Sequence, residues 1–216
     1  MKRKNAVVSF VSMVLMSLAC AVPSLPGGDA ALFKDDFSGE GGGWGLGTDD
    51  KSSVEITGGE MVMKVFLDRY FVWSVPGQTD LENVHIEVTA KNSGGGSSTG
   101  FGLVCDHQVT DQFYYFVVTS NGEYAIAKTA VAKDDVFLTN NDQLGTSADI
   151  PTDAATYRIG ADCGNGTLTL YVNGKKIDSV TDSTYAKGDV GMFTWTSKDA
   201  SAEVHFDDLA VTSLSK

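Results

Sequence analysis

The stretch from Cys163 to Val180, CGNGTLTLYVNGKKIDSV, decides the architecture of this 216-residue chain. Leu168, Leu170 and Val172 alternate with Thr167, Thr169 and Tyr171. That is the period-two pattern of a strand with one buried face. Asn173-Gly174 then supplies the two positive-φ positions of a tight type I′ turn, so Lys175 to Thr181 is expected to return as the antiparallel partner.

The same grammar recurs on either side. Val84, Ile86, Val88 and Ala90 alternate with His85, Glu87, Thr89 and Lys91, which predicts a strand with its second set facing water. SVEIT and EMVMKVF flank Gly58-Gly59, and QFYYFVVT and EYAIAKT flank Asn121-Gly122; both are hairpin signals. LFKDDF, RYFVWSV, TGFGLVCD, TYRIGADC, DVGMFTW and AEVHFDDLAVTS complete the set. Roughly a dozen short strands with turn residues between them predict an all-β, two-sheet antiparallel sandwich of the jelly-roll kind.

The N-terminal end reads differently. Lys2, Arg3 and Lys4 precede an uncharged apolar run from Ala6 to Leu18. At thirteen residues this run is shorter than the roughly 20 a membrane-spanning helix needs, so residues 1–20 are expected to be an export signal. Its end, SLAC, is similar to the lipobox of bacterial lipoproteins, in which acylated cysteine becomes the new N-terminus; Cys20 is the residue so placed. Ser17 and Ala19 equally satisfy an ordinary small-x-small cleavage site. Residues 21–31, rich in Pro, Gly and Ala, read as a flexible tether, and residues 32–216 as one sandwich domain. The expected location is the outer face of a bacterial membrane, with contact to lipid through the anchor only.

Formal net charge is −12, and loss of the three leader cations takes it to −15. A chain this acidic repels nucleic acid and anionic headgroups, leaving neutral polymers and divalent cations as compatible partners. With Cys20 set aside, Cys105 and Cys163 remain. Both fall on inward positions, Cys105 with Phe101 and Leu103, Cys163 with Tyr157, Ile159 and Ala161. In an exported chain such a pair favours a disulfide over two free buried thiols.

Taken in order, GFGLVCD, FYYFVVTSNGEYAIAK, CGNGTLTLYVNGKKIDSV, GDVGMFTWTS and VHFDDLAV resemble the concanavalin A-like jelly roll. The nearest branch is the laminin-G-like and DUF1080 (3-keto-disaccharide hydrolase-like) group of exported bacterial proteins. The resemblance implies a curved sandwich whose concave sheet meets sugars, and it also implies the Cys105–Cys163 pairing.

Several chemistries are weighed against that background. Glycoside hydrolysis needs two carboxylates at a set separation, and the hydrolases of this superfamily carry E-x-D-x-x-E on one strand. No such run occurs; VHIEVTAK has one acid, and EVHFDD sets Glu203 and Asp207 on one face of an unbroken strand but lacks the third acid of that pattern. A hydrolase acting on modified disaccharides stays open through the resemblance alone. His85, His107 and His205 lack a nucleophile elbow and zinc spacing, and are expected as solvent-facing strand residues. Asp35-Asp36 and Asp207-Asp208 would become neighbours if the first and last strands pair, and the in–out rhythm slips between Phe206 and Leu209, which predicts a bulge. Those four acids are the candidate ligands for a structural calcium ion; the alternative is an edge guard against strand pairing. Exposed aromatics would carry sugar recognition, and Tyr115, Tyr171, Tyr124 and Trp73 are the candidates among a pool that must mostly fill the core. The leading reading is a monomeric, non-catalytic module that binds carbohydrate outside the cell. A glycoside hydrolase and a structural or sensory ectodomain binding protein are the alternatives.

If Cys20 is acylated, detergent phase partitioning of the wild-type protein should be lost in Cys20→Ser; equal partitioning of both would exclude the anchor.

Overall fold

A computed structural model describes residues 31–39, 42–77, 80–109, 112–198 and 201–214. The expected leader with Cys20, and all of the tether but Ala31, lie outside the described residues. Sixteen strands are described: β1 Ala31–Asp35, β2 Gly47–Thr48, β3 Ser52–Thr57, β4 Glu60–Val65, β5 Phe71–Ser74, β6 Val84–Gly94, β7 Gly100–Val109, β8 Gln112–Thr119, β9 Glu123–Lys128, β10 Val136–Phe137, β11 Gly145–Thr146, β12 Tyr157–Gly164, β13 Thr167–Val172, β14 Lys175–Thr181, β15 Asp189–Trp195 and β16 Ala202–Ser213. All their pairings are antiparallel.

Nine strands form one sheet in the order β14-β13-β12-β6-β16-β4-β3-β2, with β1 also on β16. Seven form the other in the order β10-β9-β8-β7-β15-β5, with β11 also on β9. The expected jelly-roll sandwich is present. The β13–β14 hairpin turns at Asn173 (φ 51°) and Gly174 (φ 76°), as a type I′ turn requires.

One core lies between the sheets. The nine-stranded sheet contributes Val84, Ile86, Val88 and Ala90, along with Tyr157, Ile159 and Ala161; the seven-stranded sheet answers with Phe101, Leu103, Tyr114, Phe116 and Val118. The sets on β6, β7 and β12 are those that alternation picks out; for β8, aromatic on both faces, alternation left the inward side open.

Strand β16 shows how a local irregularity serves the core. Ala202 to Phe206 pair with β4, whereas Leu209 to Thr212 pair with β1. Between them the register against β6 shifts at Asp207–Ala210, and Asp208 takes φ 52°. The bulge lets Val204 and Phe206 before it and Leu209 and Val211 after it all reach the core, which a regular strand with that spacing would forbid.

Cys105 on β7 and Cys163 on β12 form a disulfide across the two sheets, with 58 residues of sequence separation. Cross-linking over that length contributes about 4 kcal/mol in the chain-entropy account. Reduction, or Cys105→Ser, should therefore lower the melting temperature by about 10 °C. Titration of two free thiols in the unreduced, unfolded protein would contradict the bridge.

Candidate functional site

The two sheets present opposite kinds of outer face, and the difference begins in β8. Its residues Tyr114, Phe116 and Val118 enter the core, while Phe113, Tyr115 and Val117 on the other side belong to a second buried cluster with Val104, Ala125, Ala127 and Phe193. Phe71 and Trp73 of β5, Phe137 of β10, Trp195 of β15 and Leu144, just before β11, pack onto it. The outer face of the seven-stranded sheet is thus paved with rings.

Phe71 sits at the hub. It stacks on Phe193 with centroids 4.7 Å apart and planes 6° apart, and meets Tyr115 edge-on at 5.5 Å. Its ring also lies 6.0 Å from both Trp73 and Phe113. Gly100 makes room for this layer, since a Cβ there would overlap the Trp195 indole; the bulky ring can lie flat only because the strand beneath has no side chain.

The segment after β9 crosses over part of this pavement. Phe113 and Thr129 tie it down: the Thr129 N–H donates to the Phe113 carbonyl at 3.1 Å, and the Phe113 N–H donates to Thr129 Oγ1 at 3.3 Å. Further on, the Tyr115 hydroxyl donates to Asp135 Oδ2 at 3.0 Å. Between pavement and segment lies a cavity of about 510 Å³, within the size range of small-ligand sites. Phe71, Trp73 and Phe113 form its apolar wall; Thr129, Ala130, Ala132, Lys133, Asp134 and Asp135 form the other side. The Trp73 indole N–H donates to His107 Nε2 at 3.2 Å. Burial pushes the His107 imidazole below its ordinary value, against the pull of the Asp189 carboxylate.

Of the four aromatic residues expected at a binding surface, Trp73 and Tyr115 meet on this face, but Tyr115 is fully buried. It lies under Phe71, Phe193 and Trp195 and presents no ring to a ligand. Tyr124 departs further. It faces the core at the sandwich edge, 8% exposed, and its hydroxyl donates to Asp178 Oδ2 of β14 in the other sheet at 3.0 Å. Tyr171 lies on the nine-stranded sheet, remote from the cavity, and its hydroxyl donates to Asp162 Oδ2 at 2.7 Å. Sequence reasoning did not single out Phe71, Phe113, His107 or the Lys133–Asp135 rim. The available signal was the two-faced aromatic run FYYF, which requires something to cover its second face.

The acids weighed as calcium ligands are neighbours through the β1–β16 pairing, yet they are engaged locally. Asp35 accepts the Phe37 N–H on Oδ1 and the Trp44 indole N–H on Oδ2, each at 2.8 Å. Asp36 Oδ1 accepts the Ser38 hydroxyl at 2.7 Å, and Asp207 Oδ1 accepts the Asp208 N–H at 2.7 Å. Burial, with the nearby Asp208, Glu60 and Asp36 charges, raises the Asp207 carboxyl above its ordinary range. Among the described residues no group of three or more His, Cys, Asp and Glu side chains is disposed to hold a metal ion.

The outer face of the nine-stranded sheet is polar and paired. Two histidines expected to face water bridge acids instead: His205 lies between Glu60 and Glu203 at 2.6 and 2.9 Å, and His85 lies 2.6 Å from Asp162 and 3.4 Å from Glu87. Arg158 closes the second cluster on Glu87 at 3.1 Å. Donating its ring N–H groups to the Asp162 and Glu87 carboxylates raises the His85 imidazole to about 9.

No family model matches the chain and no curated protein matches it. Solved structures do. A carbohydrate-binding module, CBM66 from Bacillus subtilis, aligns with a TM-score of 0.57 at 14% identity over 80% of this chain and 96% of that one. A Bacillus subtilis protein of unknown function with a galectin-like fold gives 0.62 at 13% identity over 85% and 96%. A Bacillus licheniformis β-glucanase gives 0.59 at 14% identity over 87% and 99%. At these identities the likeness concerns the fold, a galectin-like and concanavalin-like jelly roll.

Because folding raises the His85 pKa, its stabilising contribution is complete below the ordinary value of 6.5 and is lost as pH rises through about 9. The cluster is partly exposed, so screening limits the loss to on the order of 1 kcal/mol. Thermal melts between pH 6 and 10 should show a decline of a few degrees, and His85→Gln should flatten it.

Proposed function

We propose that the chain is a carbohydrate-binding module whose ligand lies in the cavity on the outer face of the seven-stranded sheet. The observation that carries this reading is the pair of partly exposed rings, Phe71 and Trp73, backed by the buried Phe113, lining one cavity with the charged rim Lys133, Asp134 and Asp135. Aromatic faces suit the C–H side of a pyranose, and the rim supplies groups for its hydroxyls. A fold shared with a carbohydrate-binding module and with glucanases is compatible with this use, although fold alone does not fix it.

Binding is favoured over hydrolysis by the placement of the acids. The cavity is lined by two carboxylates, Asp134 and Asp135, adjacent on one segment, and the Tyr115 hydroxyl occupies Asp135. Hydrolysis calls for two carboxyl groups flanking the scissile bond from opposite sides, and the ring-lined wall offers none. Electrostatics narrows the ligand class. With a formal charge of −12 and two acids to one lysine on the rim, the site disfavours uronate-rich and sulfated polymers and accepts neutral or amino-bearing sugars.

A glycan array probed with the purified protein tests both statements. Neutral or amino-bearing oligosaccharides should be retained and polyanionic ones should not. Trp73→Ala should weaken the retained ligand by about tenfold or more, a loss of about 1.4 kcal/mol, in a protein that still gives the folded circular dichroism spectrum despite the lower melting temperature that loss of a packed ring brings. Retention confined to acidic glycans, or indifference to Trp73→Ala, would overturn the assignment.

A further inference from the structure

Trp73 is the cavity-wall ring with a polar edge, and its hydrogen bond fixes the state of its partner. An indole N–H can only donate. His107 Nε2, 3.2 Å away, must therefore be the bare nitrogen, and the neutral imidazole carries its proton on Nδ1. A second proton, on Nε2, would set two donors against each other.

The surroundings hold the imidazole in that position. Its ring lies 5.4 Å from Phe113 at an interplanar angle of 30°, and 6.3 Å from Trp73. It therefore touches both the partly exposed Trp73 ring and the buried Phe113 ring that backs it. The charged groups about it are Asp189 and Asp106, with Lys133, Asp134 and Asp135 lining the cavity that the two rings it touches also line. Asp189 pairs with it from β15, and its carboxylate accepts the Gly77 N–H at 2.6 Å and the Val190 N–H at 2.8 Å. Asp106 precedes it on β7, and burial raises that carboxyl to about 6. The residues facing it from β5 and β8, Trp73 and Phe113, are uncharged.

We propose that His107 is the positioning residue of the cavity: as a neutral imidazole it anchors the Trp73 ring in the wall, and on protonation it releases that ring and dismantles the site. Burial favours the neutral form, so the wall is intact near neutrality and is lost in acid. The structural coupling stands on the Trp73–His107 geometry; its consequence for ligands rests on the cavity being the sugar site.

Intrinsic tryptophan emission, followed without ligand from about pH 8 to 4, tests the coupling. A protonated imidazole quenches an adjacent indole, so the wild-type protein should show a one-proton loss of emission with its midpoint below the ordinary imidazole value of 6.5. Acrylamide should quench more strongly on the acid side, while far-ultraviolet circular dichroism stays constant. Trp73→Phe should abolish the transition. His107→Gln, whose side-chain carbonyl can still accept the indole N–H, should also abolish it and keep Trp73 shielded throughout. His107→Leu should leave Trp73 accessible at every pH, and Asp106→Asn should preserve the wild-type curve. A flat wild-type curve, a transition that survives in His107→Gln, or one that coincides with loss of the circular dichroism signal would each overturn the proposal. A neutral glycan retained on the array should bind at least tenfold more weakly at about pH 4.5 than at pH 7 in the wild type, and equally at both in His107→Gln. If no glycan binds, the sugar reading fails while the emission result still decides the role of His107.

Discussion

Strand β8 has no polar side, and much of the structure follows from that. Tyr114, Phe116 and Val118 on one face and Phe113, Tyr115 and Val117 on the other are all buried. A strand in an antiparallel sandwich ordinarily gives one face to water, so this one obliges the fold to supply cover twice. On the inner side the cover is the nine-stranded sheet. On the outer side no third layer exists among the described residues, and the cover is built from rings on β5, β10 and β15 and from the segment after β9. Each buried polar edge in that layer needs a partner. The Tyr115 hydroxyl finds Asp135 and the Trp73 indole finds His107. The polar groups at the cavity therefore serve the pavement first, and the cavity grows out of that need.

The nine-stranded sheet solves the opposite problem. Its outer face keeps charged side chains and satisfies them laterally, through His85 with Asp162 and Glu87, and His205 with Glu60 and Glu203. Such pairs contribute little each where they are exposed, but they leave that surface saturated with its own partners. The two inward tyrosines at the sandwich edge join the faces: Tyr114 donates to Asp182 and Tyr124 to Asp178.

Strand alternation made most of the architecture legible. The inward sets of β6, β7 and β12 and the Asn173-Gly174 hairpin follow from period two and turn chemistry, while the Cys105–Cys163 bridge needed the expectation of export and the family resemblance besides. The slip between Phe206 and Leu209 marked the β16 bulge, because only one extra residue lets both apolar pairs reach the core. The site was harder to read. Alternation says that Phe113 and Tyr115 share a face, but whether that face is open or roofed depends on a segment with no periodicity of its own, residues 129–135. Tyr115 was thus expected at the surface and lies beneath other rings. Tyr124 shares the inward parity of Ile126, and its hydroxyl reaches water's place at the sandwich edge by bonding Asp178. Histidine has no parity signal for its partner at all. His107 looks like His85 in sequence, yet one lies among rings and the other among carboxylates, because β7 and β6 belong to different sheets.

The pairing of Ala31 with Thr212 has a consequence for how the domain can be rewired. The first and last described strands lie side by side on the nine-stranded sheet, away from the ring-paved face. Closely spaced ends of this kind suit circular permutation and insertion into a host chain. A short linker from Leu214 back to Ala31, with new ends opened at the Asn173-Gly174 turn, would keep every strand in register. The same geometry lets the domain be spliced as a loop into another protein with its cavity pointing outward from the host.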